Sequence, residues 1–413
     1  MSTGAGNERT NERAARRGVT LLEVMFSIGV ATVGLLSVIA LFPLGAYRMR
    51  KGIASDRAGA MGQSAVAEFD VRGMGRPDMW AVWNPNAGVN AFVPFVSNPA
   101  VWALPVAFPV PLTGVGASFC IDPQYVARAV NDGHTLPTLF PDVPTAVLPL
   151  DQSPEPRMAR VTLRTTPGAS PVLAGNPNPL FTIPRTVADE IFFLNDDLLF
   201  ERPTDATQPP VGVFSYDLNA NPEKRQYEGS MSWLATLSPI LAATGGPAHE
   251  NLYTLSIVVF ENRNLDTDIK ANVDVTMEPI ETVLNVPIFS GLGGGGGDVT
   301  FATRPGRPKE DLEQIRPGSW VMLGARLRDP ETPATPGAAV FRWYKIESVD
   351  AESVLDTTQT LDPNYDVWGR EVFLDGGDWN PNVAFPTQAT ILSGVVAVFE
   401  KTIRLENSSL WTP

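Results

Sequence analysis

The chain has 413 residues and a formal net charge of −14, which excludes a nucleic-acid backbone as an expected partner, because such binding depends on Lys and Arg neutralising phosphates. With 38 Pro and 35 Gly the composition also argues against a helical bundle and for many short strands joined by turns, in a chain long enough for two domains beyond any anchor or for a single large β domain. The single cysteine, Cys120, excludes an internal disulfide.

The first element in chain order is an apolar run with one acid near its start, "RRGVTLLEVMFSIGV" (residues 16–30). After Glu23 nothing ionisable appears until Arg48, and the 24 residues Val24–Tyr47 would span ~36 Å as a helix at about 1.5 Å per residue. That length crosses a hydrocarbon core of ~30 Å. A cleaved secretory signal has a shorter apolar core and a small-residue cleavage site, whereas "YRMRKG" follows this run. A plain signal anchor fits the length and leaves Glu23 as an interfacial charge favoured at a helix N-terminus. Lys and Arg flank both ends, with Arg9, Arg13, Arg16 and Arg17 before the run and Arg48, Arg50, Lys51 and Arg57 after it. Charge alone therefore leaves the orientation open.

The order of residues in "RRGVTLLEV" resembles the processing site of type IV pilins and type II secretion pseudopilins: a basic leader ending in Gly, an apolar residue, Thr, two aliphatics, Glu and a long apolar helix. The resemblance covers about 60 residues and implies a leader at 1–18, a transmembrane helix at 19–47 and cleavage by prepilin peptidase between Gly18 and Val19. It further implies N-methylation of Val19, which stands where the family usually has Phe. Pro43 would be the helix kink, a few positions later than usual. Glu23 would pair with the new α-amino group of a neighbouring subunit during filament assembly, which removes much of the cost of a buried charge. Other pilin or pseudopilin subunits and the inner membrane are the implied partners. The leader would be cytoplasmic, with the remainder outside and later in the filament.

Residues 48–76 read as a helical extension, with Tyr47, Ala54, Ala58, Met61, Ala65 and Phe69 forming a narrow apolar stripe, ended by Gly73, Gly75 and Pro77. In pilins this half of the helix lies on a β-sheet. Residues 77–270 are expected to form a β-rich pilin-like domain. Its first part, Pro77–Pro149, is proline-dense and reads mostly as loop, with a short helix at "DPQYVARAVNDG" and with Trp80, Trp83 and Trp102 either a contact surface or, as loop tryptophans more often are, packed on their own domain. Strands follow at Ala159–Thr165, Leu198–Glu201, Ser230–Leu237 and Tyr253–Glu261, with a short helix at "TVADEIFFL" and the last two strands adjacent and antiparallel. Residues 271–413 are expected to form a second β unit, a small barrel or sandwich built from "GSWVMLGARL", "AVFRWYKIESVD", "REVFLD" and "GVVAVFEKTIRLE". The fold class is thus α+β, a long transmembrane helix followed by two β-rich units.

Catalytic constellations are scarce, and no enzyme activity is expected. His134 and His249 stand alone, neither G-x-S-x-G nor paired cysteines occur, and "GLGGGGGD" (291–298) lacks the Lys-Ser/Thr of a phosphate-binding loop, so it reads as a flexible loop. "DLNANPEKRQYE" sets Asp217, Asn219, Asn221, Glu223 and Glu228 at calcium-loop spacing, but Pro222 occupies the position that needs glycine. The expectation is no cofactor, with calcium as the one ion to test. The expected function is a structural minor subunit of a type IV filament or type II secretion pseudopilus. The alternative is a single-pass anchored β-domain module for binding or adhesion, and removal of the leader distinguishes the two.

Overall fold

Helix α1 runs from Leu21 to Val71 without a break, through Pro43, whose ring removes one donor from the hydrogen-bond ladder. The computed structural model describes residues 20–84, 91–95, 117–132, 139–142, 156–165, 172–173, 176–177, 182–194, 198–200, 225–227, 230–240, 252–265, 281–290, 297–304, 307–328, 336–350, 352–355, 366–377, 379 and 387–405. Thr20 caps α1: its carbonyl and its Oγ1 both accept from the Glu23 N–H, at 3.0 Å and 3.3 Å. The C-terminus closes with Gly73 at φ +63°, Met74 N–H donating to the Phe69 carbonyl and Gly73 N–H to the Asp70 carbonyl. That is the Schellman arrangement, and the positive φ explains the glycine. Two compact units divide the chain, Met1–Ala54 and Ser55–Pro413.

In the second unit a 3-10 turn, Pro77–Met79, leads into the first sheet. Its early strands are β1 (Trp80–Asn84), β2 (Ala91–Pro94), β3 (Phe119–Ile121), β4 (Leu139–Phe140) and β5 (Met158–Leu163), with helix α2 (Pro123–Asp132) between β3 and β4. Two short ribbons follow, β6 (Val172–Leu173) with β7 (Asn176–Pro177) and β8 (Leu198–Phe200) with β9 (Arg225–Tyr227), and helix α3 (Arg185–Phe192) lies between them in sequence. The sheet resumes with β10 (Met231–Pro239) and β11 (Leu252–Glu261), antiparallel as expected.

Within the proline-dense stretch, read as mostly loop with one short helix, the proline-free pieces "WAVWN" and "FCI" form β1 and β3. β3 is central, between β10 and β5, while Pro94 sits in β2 at the sheet edge, where a missing donor costs no ladder bond. The eight strands run β19-β11-β10-β3-β5-β1-β2, with β4 on β5, and β3 pairs with β5 in parallel.

The second sheet comprises β12 (Glu281–Ser290), β13 (Gly297–Ala302), β14 (Trp320–Arg328), β15 (Pro336–Val349), β16 (Val354–Leu355), β17 (Trp368–Asp375) and β18 (Thr387–Leu392), with helix α4 (Glu310–Glu313) after β13. Antiparallel pairing of β12-β13-β17-β15-β14-β18 returns to β12, so six strands close into a barrel and β16 adds to β17. The choice between barrel and sandwich is therefore a barrel. Of its strands β12, β13 and β18 went unread: β12 contains Pro287, which sits where the register with β13 shifts, and β13 takes up Gly297 and Asp298 from the glycine run. The last strand expected in the barrel, β19 (Val395–Arg404), instead returns to the first sheet and pairs along nearly all of β11. The unit expected over 271–413 thus gives its final strand to the sheet.

Within the second unit the first sheet is covered on both faces. Toward one face Met231, Trp233, Ala235, Leu237, Leu255 and Ile257 pack with Ala58, Met61, Ala65 and Phe69 of α1 and with Ala188, Ile191 and Phe192 of α3. Toward the other, Leu234, Val258, Phe260, Phe140 and Met158 pack against Met322, Phe341, Trp343 and Leu392 of the barrel. Period-two alternation in β14 and β15 sends Val321, Leu323, Val340 and Tyr344 into the barrel core and Met322, Phe341 and Trp343 to the sheet. The stripe on α1 is buried as expected from Ala54 to Phe69, but Tyr47 is 66% exposed and does not belong to it.

Candidate functional site

Two features stand out from ordinary packing. The first is the N-terminal half of α1. From Leu21 to Phe42 each described large apolar side chain is exposed, among them Phe26 and Phe42. Each would gain about 1.5–3 kcal/mol on leaving water, so this surface is built for an apolar environment. The polar groups are internalised to match. Ser27 Oγ donates to the Glu23 carbonyl at 2.8 Å, Thr32 Oγ1 to that of Ile28 at 2.8 Å, and Ser37 Oγ to that of Gly34 at 2.7 Å. By length and composition this is one helix able to cross a membrane. Glu23 lies exposed in its first turn, with Thr20 and Glu23 at the spacing of a capping box. Gly18 and Val19 lie outside the described residues.

The second feature is a buried ionic cluster at the junction of sheet and barrel. Asp122 follows β3 and caps α2, whose first residue is Pro123, the residue that costs a helix least at that position. Its carboxylate receives both terminal nitrogens of Arg263, at 2.8 Å and 2.6 Å, and Arg160 Nη1 at 2.8 Å. Arg160 on β5 has a fully buried side chain, and its Nη2 reaches Glu281 Oε1 at 2.5 Å on β12, the first barrel strand. The guanidinium also lies 4.4 Å from the Tyr125 ring centroid and 5.1 Å from that of Phe140. The second Glu281 oxygen accepts the Asp142 N–H, and Arg157 Nη1 donates to the Pro141 carbonyl at 2.9 Å.

Ionisation follows from these contacts. Burial alone would raise the Asp122 carboxyl, but Arg263 and Arg160 outweigh it and hold the group below the usual carboxylate range. Asp142 goes the other way, pushed up to about 6 by burial and by the Glu281 charge. Burial, then Asp122, pushes the Cys120 thiol well up, so it is inert as a nucleophile. Burial opposes the charge on Arg160, yet Glu281 and Asp122 keep the guanidinium firmly protonated. The chemistry of the arrangement is that of a clamp between two sheets.

The sequence did not single out this cluster, although Arg160 is a charge in the middle of the apolar strand "MARVTL" and "DP" is a helix-start signal. Trp80 is fully buried and donates Nε1–H to the Met74 carbonyl at 2.8 Å, and Trp83 packs edge-on against Phe92. Trp80 therefore presents no open surface, Trp83 is half-buried, and Trp102 lies outside the described residues. So do Asp217, Asn219, Asn221, Glu223 and Glu228.

These features define a class: a protein with one apolar N-terminal helix able to span a membrane, continuing into a β-rich body of a sheet and a six-stranded barrel. No protein-family model, curated protein or solved structure matches the chain.

Proposed function

We propose that the chain is a structural, non-enzymatic pilin-like subunit of a type IV filament or a type II secretion pseudopilus, processed by prepilin peptidase after Gly18. The observation that supports this reading most is the use made of one helix. Its first half is apolar and exposed with Glu23 in the first turn, and its second half lies on a β-sheet through Ala58, Met61, Ala65 and Phe69. In the pilin family the carboxylate favours the assembled state, because it meets the freed α-amino group of a neighbour. A minor, sparse position suits the body. More than 330 residues follow the helix, and a compact mass of that size has a radius of gyration of about 20 Å at roughly 2.2·N^0.38 Å. Continuous packing of such bodies along a filament would be crowded.

Intact mass of the membrane-extracted protein tests the reading. The expected product begins at a methylated Val19, and Gly18→Glu is expected to keep residues 1–18. A native chain that retains its leader would instead favour a single-pass anchored β module for binding or adhesion. Recovery of this chain as the most abundant subunit of sheared filaments would overturn the minor position.

A further inference from the structure

The stretch of α1 just past the apolar run is exposed where the stripe was expected to begin. Tyr47 is 66%, Met49 68% and Ile53 45% exposed, and Arg48, Arg50 and Lys51 between them are also exposed. We propose that Tyr47–Ile53 is a collar that binds anionic phospholipid headgroups, with Arg48, Arg50 and Lys51 as the charged contacts and Tyr47, Met49 and Ile53 as interfacial anchors.

Four observations carry this. No acidic residue lies between Glu23 and Asp56, so the collar is purely cationic in a chain of net charge −14. At about 100° per residue, Arg48, Arg50 and Lys51 fall within one arc of roughly 160° with Tyr47 inside it, so the charges and the tyrosine anchor leave the helix on the same side. The collar occupies about 9 Å of helix at ~1.5 Å per residue and follows directly on the apolar run, where a headgroup layer begins. Its apolar side chains are of the kind found at that boundary, Tyr above all, and long cationic side chains there reach into the headgroups. The acidic surface of a second copy is the rival partner, but exposed Met49 and Ile53 have no complement in an acidic patch. The inference depends on α1 crossing a bilayer and does not depend on the filament reading, which the leader mass tests separately.

Transfer between vesicles is the test. Full-length protein in detergent is mixed with equal amounts of phosphatidylcholine vesicles and of vesicles carrying about one-third phosphatidylglycerol; detergent is removed and the two populations are separated by density. At low salt the anionic vesicles are expected to take up about tenfold more chain, since each Lys or Arg near such a surface contributes. The ratio should fall toward one in roughly 1 M salt, where the Debye length is about 3 Å, and in the triple variant Arg48→Gln, Arg50→Gln, Lys51→Gln. An even distribution of the native chain, or a preference that survives in the triple variant, would overturn the proposal. So would a triple variant that keeps its lipid preference but loses cross-linking between copies, which would assign the collar to protein contacts. Recovery in neither vesicle population would remove the membrane span and the collar with it.

Discussion

Arg160 Nη2 and Glu281 Oε1 meet at 2.5 Å across 121 residues of sequence, joining a central strand of the sheet to the first strand of the barrel. Both side chains are almost wholly removed from water, so this contact ties the two parts of the body through charges that have no alternative partner in solvent. Neutral bonds also cross the junction. Ser118 Oγ donates to the Ala339 carbonyl at 2.7 Å, Phe341 N–H to Ser238 Oγ at 2.9 Å, and Trp343 Nε1–H to Thr236 Oγ1 at 3.1 Å.

Arg160→Met is therefore expected to cost roughly 3–5 kcal/mol, because Asp122 and Glu281 would be left in a low-dielectric site with less compensating charge. Glu281→Leu in the same background should recover part of the loss, with a coupling of about 1–3 kcal/mol. Denaturant unfolding of the four members of the cycle measures it. Additive losses would mean that the pair is only incidental to the junction.

Asp142 makes stability depend on pH in an unusual direction. Its pKa rises on folding, to about 6. Between about pH 4, where the unfolded chain releases this proton, and pH 6 the folded state therefore binds more protons. Stability then falls as pH rises through that window. Asp142→Asn is expected to raise the midpoint of thermal unfolding at pH 8 and to change it little at pH 4. Asp122 has the opposite sign, since its folded pKa is lowered. Its contribution is present above the usual carboxylate range and is lost as pH falls through the folded value, so Asp122→Asn should destabilise at pH 7 and progressively less in acid.

Gly62 and Gly59 should respond in opposite senses to alanine. A Cβ on Gly62 would fall within the Phe399 ring of β19, whereas one on Gly59 meets nothing within 4 Å. Gly59→Ala should stabilise by about 0.5–1 kcal/mol through helix propensity. Gly62→Ala should destabilise by about 1–3 kcal/mol from overpacking, and Phe399→Leu in that background should relieve part of it. Thermal unfolding of the variants at neutral pH decides the signs.

Glu23→Val tests the assembly role proposed for the acid in the first turn of α1. The variant is expected to insert and to lose its leader normally, yet to be depleted several-fold from sheared filaments relative to the membrane pool, as read by quantitative mass spectrometry. Normal incorporation would leave Glu23 as an interfacial charge at the helix N-terminus, favourable there but without a partner.

The long helix was legible in the sequence because its signals are local. An apolar run of membrane-crossing length, an acid at its start and the Gly73 terminator are all read from neighbouring residues, and Ala58, Met61, Ala65 and Phe69 repeat at helical spacing. The same holds for α2, α3, β10 and β11, whose patterns are short and self-contained. What only the tertiary structure decided were the partnerships. A strand's alternation says which side chains share a face but not which sheet it joins, so β19 resembled a barrel strand until β11 claimed its edge. Pro287 in β12 and the glycines before β13 hid two strands, because a bulge in a closed barrel tolerates residues that an isolated strand would not. The ionic cluster was invisible for the same reason: Asp122, Arg160, Arg263 and Glu281 are ordinary surface residue types, spread over 160 positions, and only burial at a shared junction turns them into a clamp.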